Sequence, residues 1–235
     1  MEQGDDVLKG ELLLLDLEEV EYLEALHKQE ELFEDVLEAK MHNRMAALEN
    51  RINPIHYLLL CEHPPVYTLG KSGKRENLKI DPESIDAEFF HTNRGGDITF
   101  HGPGQLVVYP ILDLEAYGMS LKDYVEALEQ VVIDVLLVYK IEAGRLEGAS
   151  GVWVRPGSPD AKKICAIGIK ASRYVTMHGI ALNVSTDLSF FDHIIPCGIE
   201  DKGVTSMEKE LGKELDMEEV KGWFLKIFAN HFTGL

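Results

Sequence analysis

Between residues 17 and 48 apolar side chains recur at Val20, Leu23, Leu26, Phe33, Val36, Leu37, Met41 and Met45, mostly three or four apart, and predict one amphipathic helix. The same period returns over residues 121–139 (Val125, Leu128, Val132, Val135, Leu136) and 217–232 (Val220, Phe224, Ile227, Phe228). Ser120, with Asp123 three residues on, supplies an N-terminal cap for the second of these helices. Elsewhere the apolar residues come in short runs. Residues 12–15 and 58–61 read as buried strands, and 55–60 and 66–69 as two strands separated by the stiff Pro64-Pro65 turn. Residues 98–101 and 106–111 flank Gly102-Pro103-Gly104 as a hairpin or strand-loop-strand, and 81–87 predicts a short turn of helix. Three further strands, 151–154, 164–169 and 177–183, predict a meander, with a turn at 156–160.

Helices flanking hairpin-connected strands give an α+β domain with a mixed, largely antiparallel sheet, expected to be one unit over 1–235. No regular βαβ alternation occurs, and neither G-x-G-x-x-G nor G-x-x-x-x-G-K-[ST] is present, which disfavours the two common phosphate-binding folds. No apolar run approaches the roughly 20 residues of a bilayer span. Glu2, Asp5 and Asp6 stand where a targeting peptide would carry basic residues, so a cytoplasmic protein is expected. The cysteines Cys61, Cys165 and Cys197 have neither disulfide nor metal spacing and are expected as free thiols. A formal net charge of −18 disfavours nucleic acid and anionic membrane as partners. Against it stand two basic clusters, Lys71, Lys74, Arg75 and Lys79, and Lys162, Lys163, Lys170 and Arg173; together in space they would suit an anionic protein.

Chemistry concentrates in three segments. In RGGDITFHGPGQ (94–105) the glycines permit close backbone approach, and Arg94 and His101 offer a cation and a hydrogen-bonding ring. A substrate cradle and a glycine-rich hairpin around a satisfied core histidine both fit that composition. In 162–184, alternation puts Lys163 on the same side of its strand as Cys165; a surface lysine is the ordinary reading, whereas a desolvated amine would take a proton near neutral pH. His178 and Asn183 could orient a carbonyl or thiol. In IIPCGI, Cys197 lies between proline and glycine, at an expected turn that would expose its sulfur to act as a nucleophile.

At these segments the chain resembles the lipoyl(octanoyl) transferase family, also called lipoate-protein ligase B. The resemblance rests on R-G-G-x-x-T-[FYW]-H-x-x-G-Q at 94–105, K-I-x-x-[IL]-G at 163–168, H-G-x-A-L-N at 178–183 and P-C-G at 196–198, with E-H-x-P-V-[YF]-T-x-G upstream at 62–70. It implies a biotin/lipoate protein ligase-like catalytic domain, an α/β sandwich. It also implies transfer of an octanoyl or lipoyl group without ATP or metal, from acyl carrier protein to a lysine on lipoyl domains of 2-oxoacid dehydrogenase E2 subunits or on the glycine cleavage H protein. Cys197 matches the family's acyl-thioester nucleophile, and Lys163 the general acid/base that lowers its pKa. The family's substrate loops map onto Arg94, Gly95, Gly96, Asp97, Ile98, Thr99, Phe100, His101 and Gly102, onto Ala166, Ile167 and Gly168, and onto His178, Gly179, Ile180, Ala181 and Asn183. Tyr67, Phe100 and Ile180 are expected in the walls of an acyl groove, and a monomer is expected. Two other readings compete: an ATP-dependent ligase of the same fold that would not need Cys197, and a catalytically silent module that holds an acylated carrier.

Overall fold

A strand, not a helix, opens the computed structural model, which describes residues 10–81, 84–195 and 202–232. The stripe expected from residue 17 divides into β1 (Glu11–Glu19) and α1 (Tyr22–Met45). Leu13, Leu15 and Leu17 follow a period of two, and Leu17 belongs to that period. At its far end α1 stops at Met45, and the Asn43 side chain takes both backbone groups of Ile52 at 2.8 Å each, turning the chain toward the sheet.

The large sheet has the order β1, β2 (Ile55–Glu62), β6 (Gln105–Ile111), β10 (Val175–Asn183), β9 (Lys162–Ser172), β8 (Ala149–Val154) and β7 (Ala143–Leu146), with β11 (Gly203–Val204) joining β9. The β1–β2 and β9–β11 pairs are parallel and the others antiparallel, the mixed arrangement expected. The run at 12–15 lies on the outer strand, where Leu13 and Leu14 are 37% and 48% exposed; it is an edge strand, not a buried one. The smaller sheet has the order β4 (Glu88–His91), β3 (Val66–Leu69), β5 (Ile98–His101).

Pro64-Pro65 therefore carries the chain out of one sheet and into the other, and Gly102-Pro103-Gly104 carries it back. β5 pairs with β3 and β6 with β2 and β10, so this segment is a strand-loop-strand crossing. Gly104 stands at φ +77 and a Cβ there would come within 2.5 Å of Ser185 Oγ, while its N–H donates to Glu62 Oε2 at 2.6 Å; this corner requires glycine.

The helices α2 (Leu121–Val138) and α4 (Met217–Phe232) cover one face of the large sheet and α1 covers the other; the short α3 (Met207–Leu211) follows β11. Ser120 and Asp123 form a reciprocal capping box at the start of α2. Alternation sorts the central strands between two cores: Leu58 and Leu60 pack with Leu128, Val132 and Phe224, while Leu59 and Cys61 pack with Phe33 and Val36. Burial on both faces is why these strands read as unbroken apolar runs. A third core, around Tyr67, Leu69, Ile98, Phe100 and Phe191, fills the small sheet. No helix among the described residues is long and apolar enough to cross a membrane.

Candidate functional site

The two sheets meet along a cleft whose walls come chiefly from two of the singled-out segments, 94–105 and 162–184. Arg94, Gly96, Asp97, Thr99 and His101 form one side; Lys163, Ala166, Ile167 and Gly168 of β9, with His178, Gly179, Ile180, Ala181 and Asn183 of β10, form the other. Four expected residues turn elsewhere. Gly95 donates its N–H to Ile169 O at 2.8 Å and so ties the glycine loop to β9. Phe100 stacks on Phe190 at 4.5 Å and 6°, and Gly102 lies against the Phe100 ring. Tyr67, also expected in an acyl groove, is buried in the small-sheet core, its hydroxyl donating to Phe190 O at 3.0 Å. Ile180 does line the cleft. Cys197 lies outside the described residues, as does the whole Pro-Cys-Gly segment.

Lys163 reaches the cleft through an irregularity. Along β8 and β9, Val152 faces Cys165 but Trp153 faces Lys163, so β9 carries one extra residue, Ile164. Ile164 and Cys165 are consecutive yet both lie in the core under α2 and α4, and Lys163 is turned to the opposite face beside Ala166 and Gly168. Simple alternation put Lys163 with Cys165; the bulge reverses that assignment. Its ammonium stands 4.8 Å over the Trp153 ring. Cys165 itself is buried, and burial pushes its thiol well above the usual range, as it does that of Cys61.

Behind the cleft, polar groups form a chain whose donors and acceptors follow from their partners. Asn183 Nδ2 donates to Thr205 O at 3.0 Å, which leaves its Oδ1 to accept from Gln105 Nε2 at 2.9 Å. Gln105 Oε1 then faces His101 Nδ1 at 2.8 Å, fixing the proton on Nδ1. His101 Nε2 is left to accept from Thr68 Oγ1 at 3.3 Å, and Thr68 in turn accepts from Arg94 Nε and Nη2. The guanidinium also donates to Thr68 O at 2.6 Å and Gly95 O at 2.9 Å, so Arg94 shapes the glycine loop from within. Burial, with His63 and Arg94 adding to it, depresses His101 to about 3. His63 donates from Nδ1 to Val20 O at 2.7 Å, accepts from the Tyr109 hydroxyl at Nε2, and is lowered by burial to about 4. His178, at φ +58, donates from Nε2 to Asn93 Oδ1 at 2.9 Å; burial, then the charges of Arg94 and Lys170, lower it to about 3. The three imidazoles are thus neutral dipoles at neutral pH.

α1, read from its stripe as scaffold, also contributes to the site. Tyr22 lines the cleft and stacks on His101 at 9°, and Gln29 Oε1 accepts the backbone N–H of His178 at 3.0 Å. A tyrosine and a glutamine on a helical stripe carry no sequence signal of this use. His27 and His42, read as surface residues, are exposed. The two basic clusters lie on linked segments: Lys71 N–H donates to Arg94 O at 3.0 Å, and Gly95 to the residue preceding Lys170. Lys71, Lys74, Arg75, Lys79 and Arg173 are exposed. Among the described residues no group of three or more His, Cys, Asp or Glu side chains could hold a metal ion.

The lipoyl protein ligase A/B catalytic domain family matches residues 21–229. The chain is 53% identical over 212 residues to an octanoyltransferase of Bacteroides thetaiotaomicron, covering 89% of this chain and 90% of the relative. It is 50% identical over 229 residues to one of Flavobacterium johnsoniae, covering 96% and 98%. Among solved structures, a bipartite lipoate protein ligase of Thermoplasma acidophilum superposes with a TM-score of 0.66 at 17% identity, over 95% of this chain and 84% of that one. A lipoate-protein ligase A bound with ATP superposes with a TM-score of 0.62 at 16% identity, over 95% and 85%. At those identities the structural likeness shows the fold.

Proposed function

The chain belongs to the lipoyl protein ligase A/B catalytic domain family, and from this premise we propose that it transfers an octanoyl group from acyl carrier protein to a lysine of a lipoate-dependent protein through a thioester on Cys197. The chain is an acyltransferase. The observation that carries the finer reading is the β9 bulge, which turns a lysine into a cleft lined by small and apolar residues and by the uncharged rings of His101 and His178 beside Arg94 and Asp97.

In the first half-reaction the Cys197 sulfur, its proton passed to Lys163, attacks the carbonyl carbon of the carrier thioester; the new C–S bond forms as the carrier's C–S bond breaks, and Lys163 returns the proton to the departing thiol. In the second, the Nζ of the acceptor lysine attacks the enzyme thioester. That amine must first lose a proton, since a free lysine of pKa about 10.4 is almost wholly protonated at pH 7; Lys163 takes it and Cys197 leaves. The chemistry needs neither nucleotide nor metal. The acceptors are lipoyl domains of 2-oxoacid dehydrogenases and the glycine cleavage H protein. The acidic carrier docks on the loop of Lys71, Lys74 and Arg75, tied through Arg94 and Gly95 to the cleft.

The test is intact mass and peptide mapping after mixing the protein with octanoyl carrier protein in the absence of nucleotide. One octanoyl group on Cys197, discharged by a lipoyl domain and absent from Cys197→Ser, is the expected result. Lys163→Ala should lower the acylation rate by about 10²- to 10⁴-fold, the usual loss on removing a general base. Transfer that requires ATP and survives Cys197→Ser would assign the chain to the ligase reaction instead.

A further inference from the structure

The bulge that turns Lys163 into the cleft is held from the opposite side of the sheet, by a helix that never touches the cleft. Gly151 on β8 stands at φ +94, and a Cβ there would lie 2.4 Å from Cys165 O and 3.6 Å from Ala166 Cα, against the strand segment where the extra residue is accommodated. The φ and the contact both demand glycine. The Gly151 N–H points at α2, where Glu129 Oε1 accepts it at 3.1 Å. The other carboxylate oxygen of Glu129 accepts from Arg145 Nε at 2.8 Å on β7. Glu129 is buried, 6% exposed, and spans α2, β7 and β8. One residue along β8 from this bend Val152 meets Cys165, and one further Trp153 meets Lys163 and lies under its ammonium.

We propose that Glu129 and Gly151 are positioning residues for Lys163: the carboxylate fixes the Gly151 amide on α2, the glycine leaves room for the Cys165 carbonyl, and together they keep the extra residue at Ile164 and the ammonium on the cleft side. Without them the strand pair relaxes toward a regular ladder. Period-two alternation then returns Lys163 to the side of Cys165, under the helices, where an ammonium has no place and the pairing must fray instead. The assignment of a catalytic role to Lys163 rests on the proposed function; the positioning itself does not, and the test separates the two.

Reductive methylation with ¹³C-formaldehyde places dimethylammonium groups on the lysines, and the signal missing from Lys163→Arg identifies Lys163. Held over the Trp153 ring, it should be shifted upfield of the other lysine signals by the ring current. Gly151→Ala and Glu129→Leu should each move it back to the common lysine envelope and lower the octanoyl transfer rate at least 10-fold. Glu129→Gln, which keeps the accepting oxygen, should retain the upfield signal and most of the rate. Should Gly151→Ala fail to fold, the pair Glu129→Leu and Glu129→Gln decides. A Lys163 signal unmoved in folded Glu129→Leu overturns the positioning. A signal that moves while transfer stays at the wild-type rate upholds the positioning and overturns the catalytic reading of Lys163.

Discussion

An imidazole enclosed away from any carboxylate carries no charge at neutral pH and presents one donor and one acceptor, and His101 and His178 in the cleft, with His63 behind it, use that asymmetry. Each is wired so that its proton position is set by a neighbour: a carbonyl for His63, the Gln105 amide for His101, the Asn93 amide for His178. With His56, lowered by burial to about 4, they make a group whose folded pKa values lie well below 6.5. Between about pH 6.5 and 4 the unfolded chain binds protons that the folded one refuses, so stability is complete above that window and is lost as pH falls through it. Each histidine contributes up to about 1.4 kcal/mol per pH unit. Calorimetry should show the melting temperature falling steadily from pH 6.5 downward, before the low-lying carboxylates Glu115 and Glu210 begin to protonate. A melting temperature flat to pH 5 would contradict neutral burial. At this scale the sequence was informative about identity: Arg94, His101, Lys163, His178 and Asn183 stand out by motif, and the structure gathers them. It said little of role, because whether Arg94 faces a ligand or its own loop depends on Thr68, 26 residues away, and the motif that marks Thr68 gives no sign that the two side chains meet.

Elements whose pattern matches their own burial were legible, and those set by a neighbour were not. α2 and α4 begin and end close to where the stripe and caps put them, since an amphipathic face and a capping box are local properties. β7 (AGRL) has no run of apolar residues and β4 (EFFH) only Phe89-Phe90, too short to mark a strand, and both are set by pairing, with Arg145 held by Glu129 and Phe89 by the guanidinium of Arg75 at 4.8 Å. The β9 bulge was equally hidden, for it depends on a φ at Gly151 and a carboxylate 22 residues away. α1 is fixed to the sheet layer by a contact of the same non-local kind: Lys40, 6% exposed, bonds Asp113 at 2.6 Å and Glu115 at 2.9 Å. Removing one partner of such a pair leaves the other charge uncompensated, so Lys40→Met should destabilise the fold by about 3–5 kcal/mol in urea unfolding. Because α1 presents Tyr22 and Gln29 to the site, the same substitution should reduce turnover under conditions where the protein is still folded. A destabilisation under about 1 kcal/mol would show that the pair is solvated.

Across the whole molecule, charge is distributed against the average. On the proposed function, an enzyme with a net charge of −18 must meet an acidic carrier through a local reversal of sign, and the exposed Lys71, Lys74 and Arg75 form a basic loop beside the glycine loop. Replacing the three by glutamine should raise the carrier KM several-fold, flatten its dependence on salt and leave kcat near its wild-type value, measured with octanoyl carrier protein between about 50 and 500 mM salt, across which the Debye length shrinks from roughly 14 to 4 Å. Unchanged salt dependence would remove this loop from the docking surface. The acidity elsewhere has a different use. Among the described residues β1 is the outer strand, so a row of its backbone donors and acceptors faces away from the sheet on a strand that contains five leucines, a template for a strand from another molecule. Exposed Glu11, Glu18 and Glu19 punctuate it, and the register breaks after Asp16 with Glu18 at φ +54. Two copies approaching edge to edge would have to bring like carboxylates together along a bent strand. The same excess of negative charge thereby opposes edge-to-edge growth from one copy to the next.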